Sequence, residues 1–390
     1  MPHREAYLDN AATMRPYASV VDAVTAAMRD GFGNASAAHA RGRRAKELLE
    51  ECRGVVAEAL GVEACELYFT SGGTESNNLA IIGAARSVRN EHPDRDHLVA
   101  STIEHPSVTK TVRGLKREGW RVSYLSAKGG DLSDADIASV LEPRTSVISC
   151  MHVNNETGYI LPVARVVEAR DELAPQAYVH TDGVQSFGKV RFRPHELGVG
   201  MASICAHKIG GPQGVGALYV KRHIPRIFTT AFGGGQERGL RSGTEALPLI
   251  AGFAEAVRVT MARRAECEER VRGLRDELLD GVRAMAPGVR VNSREDGSAY
   301  IASFSVPGMD NDAALHALSD AGVYVSKASA CATLFPDIPP EDWRDKHPQV
   351  LLQCGVPEEL LESTLRVSLS QESTPADVHQ FLAALADFLA

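Results

Sequence analysis

Long apolar runs are missing from this chain of 390 residues. No uninterrupted apolar stretch of about 18 residues occurs, and no apolar segment of the secretory kind opens it. Neither membrane insertion nor export is expected, and the expected location is the cytoplasm. A basic excess is missing as well: 42 Lys+Arg stand against 50 Asp+Glu, a formal charge of -8. That balance argues against a constitutive binder of nucleic acid or of anionic membrane. The one basic cluster, Arg41, Arg43, Arg44 and Lys46, lies on a helical pattern and reads as a solvated face. The seven cysteines (Cys52, Cys65, Cys150, Cys205, Cys267, Cys331, Cys354) form no C-x-x-C pair and have no histidine at zinc spacing, so no metal site is expected. Repeats, low-complexity tracts and flexible linkers are absent too.

What is present is enough apolar residue, 44% of the chain, to bury a full core, at a length that suits two or three domains' worth of structure. Strand patterns recur at Glu66–Thr70, Leu98–Ser101, Arg121–Leu125, Val147–His152, Ala177–Thr181, Ala202–Cys205 and Gly216–Val220. Helical patterns separate them, among them Val20–Met28, Ala45–Leu60 and Glu75–Arg86. This alternation predicts a mostly parallel sheet flanked by helices, with ligands beyond the carboxyl ends of the strands. A long helical pattern, Glu245–Met285, leads to a smaller α/β unit with strand candidates Tyr300–Val306 and Val323–Ser326 and helices Asp312–Ala321 and Pro375–Leu389. The expected division is 15–257 for the large domain and 1–14 with 258–390 for the small one.

Three groups carry chemistry. Ser71-Gly-Gly-Thr74 turns a strand into a helix start, where unpaired amides and the positive end of the helix dipole suit an anion. His180-Thr-Asp182-Gly-Val-Gln185 places an acid and an amide just past a strand. A pyridoxal phosphate site needs that pair, a carboxylate to keep the pyridine nitrogen protonated and a donor near the ring hydroxyl. Ser203-Ile-Cys-Ala-His-Lys208 ends another strand before a glycine-dense turn. A lone lysine there is ordinarily solvated, but one partly buried beside another cation is a nucleophile that condenses with an aldehyde. His105, Asn155, Asp182 and Lys208 all fall just beyond strand ends, which points to one shared site.

The order Asp182, Gln185, His207-Lys208 resembles the fold-type I pyridoxal phosphate enzymes. Thr70-Ser-Gly-Gly-Thr-Glu-Ser-Asn-Asn78, Glu104-His-Pro106, His152-Val-Asn-Asn-Glu156, Gly233 to Thr244 and Ser329-Ala-Cys331 narrow the resemblance to the cysteine desulfurases of the class V aminotransferase fold. The motifs run from Asp9 to Arg366. The resemblance implies pyridoxal 5'-phosphate carried by Lys208, with Asp182 at its ring nitrogen and His105 over its face as a proton carrier. Gln185 and Asn155 address the ring hydroxyl and the substrate side, while Gly73, Thr74, Cys205 and His207 complete the cofactor site. It also implies Arg366, with Asn155 and Asn34, as the substrate-binding set for L-cysteine, and Cys331 as the thiolate that takes its sulfur, leaving alanine. Thr244 is expected to reach the partner's site in a homodimer, and a sulfur-acceptor protein is the expected further partner. The acceptor's pathway stays open between iron–sulfur assembly, transfer-RNA thiolation, DNA phosphorothioation and biosynthesis. Two alternatives also stay open: a lyase or epimerase of the same fold that makes no enzyme persulfide, and a non-catalytic scaffold for an acceptor protein.

The chain departs from the family's usual pattern in several places. Ala35 stands where proline is usual, Cys205 where serine is usual, Gly183 for alanine, Lys327-Ala328 for Ser-Gly, and Ser370-Gln371 for glycine. A longer loop follows Cys331, with Pro336, Pro339 and Pro340 among its residues. Two readings of that loop stay open, docking of the acceptor protein and an ordered insertion that only packs on the small domain, and Lys327 is expected to favour the Cys331 thiolate.

Overall fold

The structure, a computed structural model, describes residues 4–222, 224, 227–327 and 349–390, and the statements below concern those residues. In chain order the strands are β1 (Ala6–Tyr7), β2 (Leu67–Thr70), β3 (His97–Ser101), β4 (Arg121–Leu125), β5 (Thr145–Ser149) and β6 (Tyr178–Asp182). They continue with β7 (Met201–Cys205), β8 (Gly216–Val220), β9 (Arg290–Val291), β10 (Ile301–Ser305), β11 (Val323–Tyr324) and β12 (Thr364–Ser368).

The main sheet has the order β2-β8-β7-β6-β5-β3-β4. Its β3–β4, β3–β5, β5–β6 and β6–β7 pairs are parallel, and β8 alone runs against its neighbours β2 and β7. Strands β3, β5, β7 and β8 are buried at every position, because helices cover both faces and leave no solvated side. Neighbouring residues of β3 enter different cores: Leu98 packs with Leu79, Val108 and Val112, and Val99 packs with Ile148, Val166 and Val179. The edge strand β4 exposes Arg121, a charge that discourages edge pairing. This is the mostly parallel, helix-flanked fold expected from the sequence.

Element boundaries moved for identifiable reasons. The helix expected from Ala45 runs from Ala40 to Leu60, because His39 caps it and Nδ1 accepts the Gly42 N–H at 3.2 Å. The basic cluster lies on its exposed side. The strand expected over Val147–His152 ends at Ser149. Beyond it the amides of Cys150 and His152 reach across to the carbonyls of His180 and Asp182, and the chain folds into a loop closed by the Val153–Ile160 bridge. The helix expected from Glu75 runs from Gly73 to Glu91.

One helix, Leu247–Met285, serves two cores. Leu247, Ile250, Phe253 and Val257 pack with Leu49, Val56, Phe69 and Ile204. Val271, Leu274, Leu278 and Val282 pack with Ala6, Leu8, Phe304, Val367 and Phe381. In the second core β10 lies between β9 and β12 in an antiparallel sheet, and β1 pairs in parallel with β11. From β1 the chain passes the Asp9–Ser368 bridge. Ala11 and Ala12 are thereby carried to the mouth of the main sheet, where their carbonyls meet Lys208.

Candidate active site

Five strand ends supply the site. Asp182 is the last residue of β6, buried, with both oxygens engaged: Oδ2 accepts Asn77 Nδ2 at 2.7 Å and Oδ1 accepts the Val184 N–H at 2.9 Å. Its burial and fixed orientation suit a carboxylate that pairs with a cationic ring. Gly183, which follows it, has no room for a Cβ because the Phe192 ring fills the place. That contact explains why this chain departs from alanine there.

Lys208 follows the end of β7, and its ammonium donates to the carbonyl oxygens of Ala11, at 2.6 Å, and of Ala12. The Ala11 carbonyl also accepts Gln185 Nε2 at 2.9 Å. Gln185 Oε1 accepts Nζ of Lys189, a fully enclosed lysine, at 2.9 Å. Burial first, and then the charge of Lys208, bring Lys189 down to about 7. Sequence reasoning missed this residue. The available signal was a lysine four positions after Gln185, set between apolar Phe187 and Val190.

Cys205 is buried at the end of β7, and burial pushes its thiol up to about 11, so it is a thiol and not a thiolate at neutral pH. Cys52 at about 11, Cys354 at about 12 and Cys150 are raised in the same way, burial being the largest cause. Exposed Cys65 is raised too. None of these five is activated as a nucleophile.

His105 caps the helix Pro106–Arg117 and is partly buried. Burial first, and then Lys208, lower its pKa against the opposing pull of Asp182. All three groups therefore lie within electrostatic reach of one another. Glu104, beside it, is fully enclosed; its Oε1 accepts Ser101 Oγ and the Met151 N–H, and burial together with the Asp182 charge raises it to about 8.

The anion cradle forms where β2 turns into the helix Gly73–Glu91. The Ser76 N–H bonds the Gly72 carbonyl, and the first-turn amides ahead of it have no carbonyl within the helix to bond. A Cβ at residue 73 would strike Val184 Cγ2 at 2.7 Å, whereas the space beside Gly72 is open. The backbone can therefore approach an anion closely, and the helix dipole favours it.

Arg366 sits in the middle of β12, 2% exposed. One terminal nitrogen donates to the Asn155 carbonyl at 3.0 Å and the other to Asp9 Oδ1 at 2.8 Å, while its Nε has no hydrogen-bond partner. Nearby Glu156 is enclosed and raised to about 8 by burial, against the pull of Arg366. Asn154 builds the loop by accepting the N–H groups of Glu156 and Thr157 on its Oδ1. His207 bonds Thr13 Oγ1 at 3.2 Å and stays neutral, near 4, because of burial and the neighbouring lysines.

Two expected residues stand apart from this group. Asn34 lies on an exposed turn, where its Oδ1 accepts the Ser36 N–H at 2.8 Å. Thr244 is exposed on a loop pinned to the cradle helix by Arg241 Nε on Glu75 Oε1 at 2.8 Å. The loop is also pinned to β2 by Glu237, which pairs with buried Arg53 at 2.7 Å and accepts the Phe69 N–H. Cys331 and the long loop after it lie outside the described residues. Lys327, expected to favour the Cys331 thiolate, donates to Asp312 Oδ1 at 2.6 Å.

A pyridoxal phosphate group needs an amine, an opposed carboxylate, a ring cover and a phosphate cradle in one space. Lys208, Asp182, His105 and the Gly72–Thr74 turn supply them, and the buried Asn77 Oδ1 has no partner of its own. The residues present fit the group.

The aminotransferase class-V family matches residues 6–381, and the chain belongs to that family. Among its relatives is the cysteine desulfurase IscS of Anaeromyxobacter sp. (strain Fw109-5), 37% identical over 382 residues, which cover 95% of this chain and 89% of that protein. Among solved structures, a NifS-like protein superposes with a TM-score of 0.90 at 31% identity over 99% of both chains. A structure of SspA in complex with cysteine superposes with a TM-score of 0.79 at 29% identity, over 95% of this chain and 100% of that one. The resemblance and the fold class read from the sequence are both borne out. Enzymes of this family depend on pyridoxal phosphate.

Proposed function

We propose that the chain is a pyridoxal-phosphate-dependent cysteine desulfurase, which removes sulfur from L-cysteine to give L-alanine and a persulfide on Cys331. The observation that carries this reading is the placement of Lys208, Asp182 and His105 within electrostatic reach of one another, with a buried arginine, Arg366, that keeps an unpartnered N–H. Lys208 would hold the cofactor, Asp182 its ring nitrogen and the Gly73–Thr74 turn its phosphate, with Gln185, Cys205 and His207 around it. When bound, the cofactor supplies an electron sink for the carbon that loses its proton.

The protein's own groups do the rest. Arg366 and Asn155 orient the substrate carboxylate, a pairing with the directional strength of a charge-assisted hydrogen bond. Lys208, displaced from the Ala11 and Ala12 carbonyls, moves a proton at the substrate α-carbon. The Cys331 thiolate bonds to the substrate sulfur as the carbon–sulfur bond breaks, and the carbon skeleton leaves as alanine once protonated. The role of Cys331 rests on the resemblance, and the raised thiols of Cys52, Cys65, Cys150, Cys205 and Cys354 and the burial of Cys267 are in keeping with it. Thr244 would complete the phosphate site of a second copy, and the loop after Cys331 would meet the sulfur acceptor.

The test supplies L-cysteine and a thiol reductant to the cofactor-loaded protein and separates the carbon products. Alanine that disappears in Cys331→Ser, with the visible absorbance of the bound cofactor kept, supports the reading. Pyruvate in place of alanine would make the chain a lyase of the same fold.

A further inference from the structure

The imidazole of His105 receives two donors at Nδ1 from the helix it caps: the Ser107 backbone N–H at 3.1 Å and the Ser107 hydroxyl, whose Oγ lies 2.7 Å away. A backbone N–H can only donate, so Nδ1 is an acceptor and the neutral ring carries its proton on Nε2. The hydroxyl is committed in turn. Its oxygen lies 2.8 Å from Asn77 Nδ2, and the same Nδ2 lies 2.7 Å from Asp182 Oδ2. With both amide hydrogens of Asn77 spent on oxygens, the Ser107 proton is the one that points to Nδ1. The series Asp182, Asn77, Ser107, His105 thus has a single hydrogen assignment from end to end, and Asn77, Ser107 and Asp182 are all buried.

We propose that Asn77 and Ser107 are positioning residues that fix His105 as the Nε2–H tautomer and couple it to Asp182. His105 then offers the site a hydrogen-bond donor, and the base that takes the substrate proton is Lys208. The inference rests on the reading above that these residues form one cofactor site. It narrows the expectation of His105 as a proton carrier: two donors on Nδ1 make that nitrogen a weaker base, so the proton the neutral ring presents to the site is the one on Nε2. The charges facing the ring are Asp182 and Lys208 across the site, and Lys110 and Glu118 in the groove on its helix side. Burial and Lys208 keep the ring neutral, and Asp182 opposes them.

The experiment follows the ring nitrogens of His105 by NMR in the full-length, cofactor-free protein labelled with 15N-histidine, the signal being assigned with His105→Gln. Wild type is expected to show the Nε2–H tautomer at neutral pH. Ser107→Ala removes a donor that favours the neutral ring, so the His105 midpoint rises by about one pH unit. Asn77→Ala shifts it in the same direction, and Ser107→Thr, which keeps the hydroxyl, titrates as wild type. A wild-type proton on Nδ1, an unmoved midpoint in Ser107→Ala, or a Ser107→Thr protein that titrates like Ser107→Ala would overturn the proposal. The readout needs no cofactor and no turnover, so a failure to release alanine would sink the proposed function while leaving this result standing.

Discussion

Arg366 donates to Asp9 across 2.8 Å, joining the middle of β12 to the N-terminal segment. Asp9 holds one terminal nitrogen of the guanidinium and the Asn155 carbonyl the other, which leaves the buried Nε without a partner. A hydrogen bond to a charged group contributes about 1.5–3 kcal/mol. Asp9→Ala is therefore expected to raise KM for cysteine about ten- to a hundredfold, with kcat less affected. Steady-state kinetics checks this, and a lowered KM would show that Asp9 competes with the substrate carboxylate.

Lys189 is expected to leave a signature in stability. Its proton is bound in the unfolded chain up to about pH 10.5 and in the folded one only up to about 7. Between those values unfolding takes up a proton, so stability rises with pH by about 1.4 kcal/mol per unit from this group. Lys189→Met lacks that slope. Thermal melts of the cofactor-free proteins from pH 7 to 9 are expected to show wild type gaining on the variant, and parallel curves would contradict it.

Glu104 works in the opposite direction. Raised from 4.5 to about 8, its carboxyl contributes stability that is complete below pH 4.5 and is lost as pH rises through 8. Glu104→Gln keeps an oxygen for Ser101 Oγ and the Met151 N–H and cannot ionise. The difference in melting temperature between variant and wild type is expected to grow from pH 5 to 8 in favour of the variant. A constant difference would show that Glu104 titrates near its ordinary value.

Thr244 can be tested by complementation. If the chain dimerises as proposed, co-expressed Lys208→Ala and Thr244→Ala chains form mixed dimers in which one site has Lys208 from one copy and Thr244 from the other. If Thr244 acts across the dimer, that site binds cofactor with wild-type affinity, although Thr244→Ala alone binds weakly. No recovery in the purified mixed dimer would place Thr244 in its own subunit's site, or in none.

Much of this was legible in the sequence because strand ends and motifs coincide. Asp182 and Lys208 each close or follow an apolar run, and Gly72 and Gly73 mark the cradle directly. The pairings that orient these groups were not legible, because they join distant segments: Asp9 to Arg366, Ala11 to Lys208, Asn77 to Asp182. Asn77 sat inside a quoted motif, yet its helix position gave no partner until β6 was placed beside that helix. The end of β5 at Ser149 was hidden for a similar reason. Cys150 to His152 continue the apolar pattern, and only the amide bonds to His180 and Asp182 show the chain leaving its strand. Ion pairs such as Arg53 with Glu237 follow from tertiary packing and have no local sequence signal.

The most direct measurement is the mass of the protein after exposure to L-cysteine without a reductant, followed by peptide mapping. We predict one added sulfur atom on the peptide that contains Cys331 in the cofactor-loaded wild type, accompanied by alanine, and none in Lys208→Ala. Sulfur added to a different cysteine, or alanine released with Cys331 unmodified and removable without loss of rate, would contradict the proposed function.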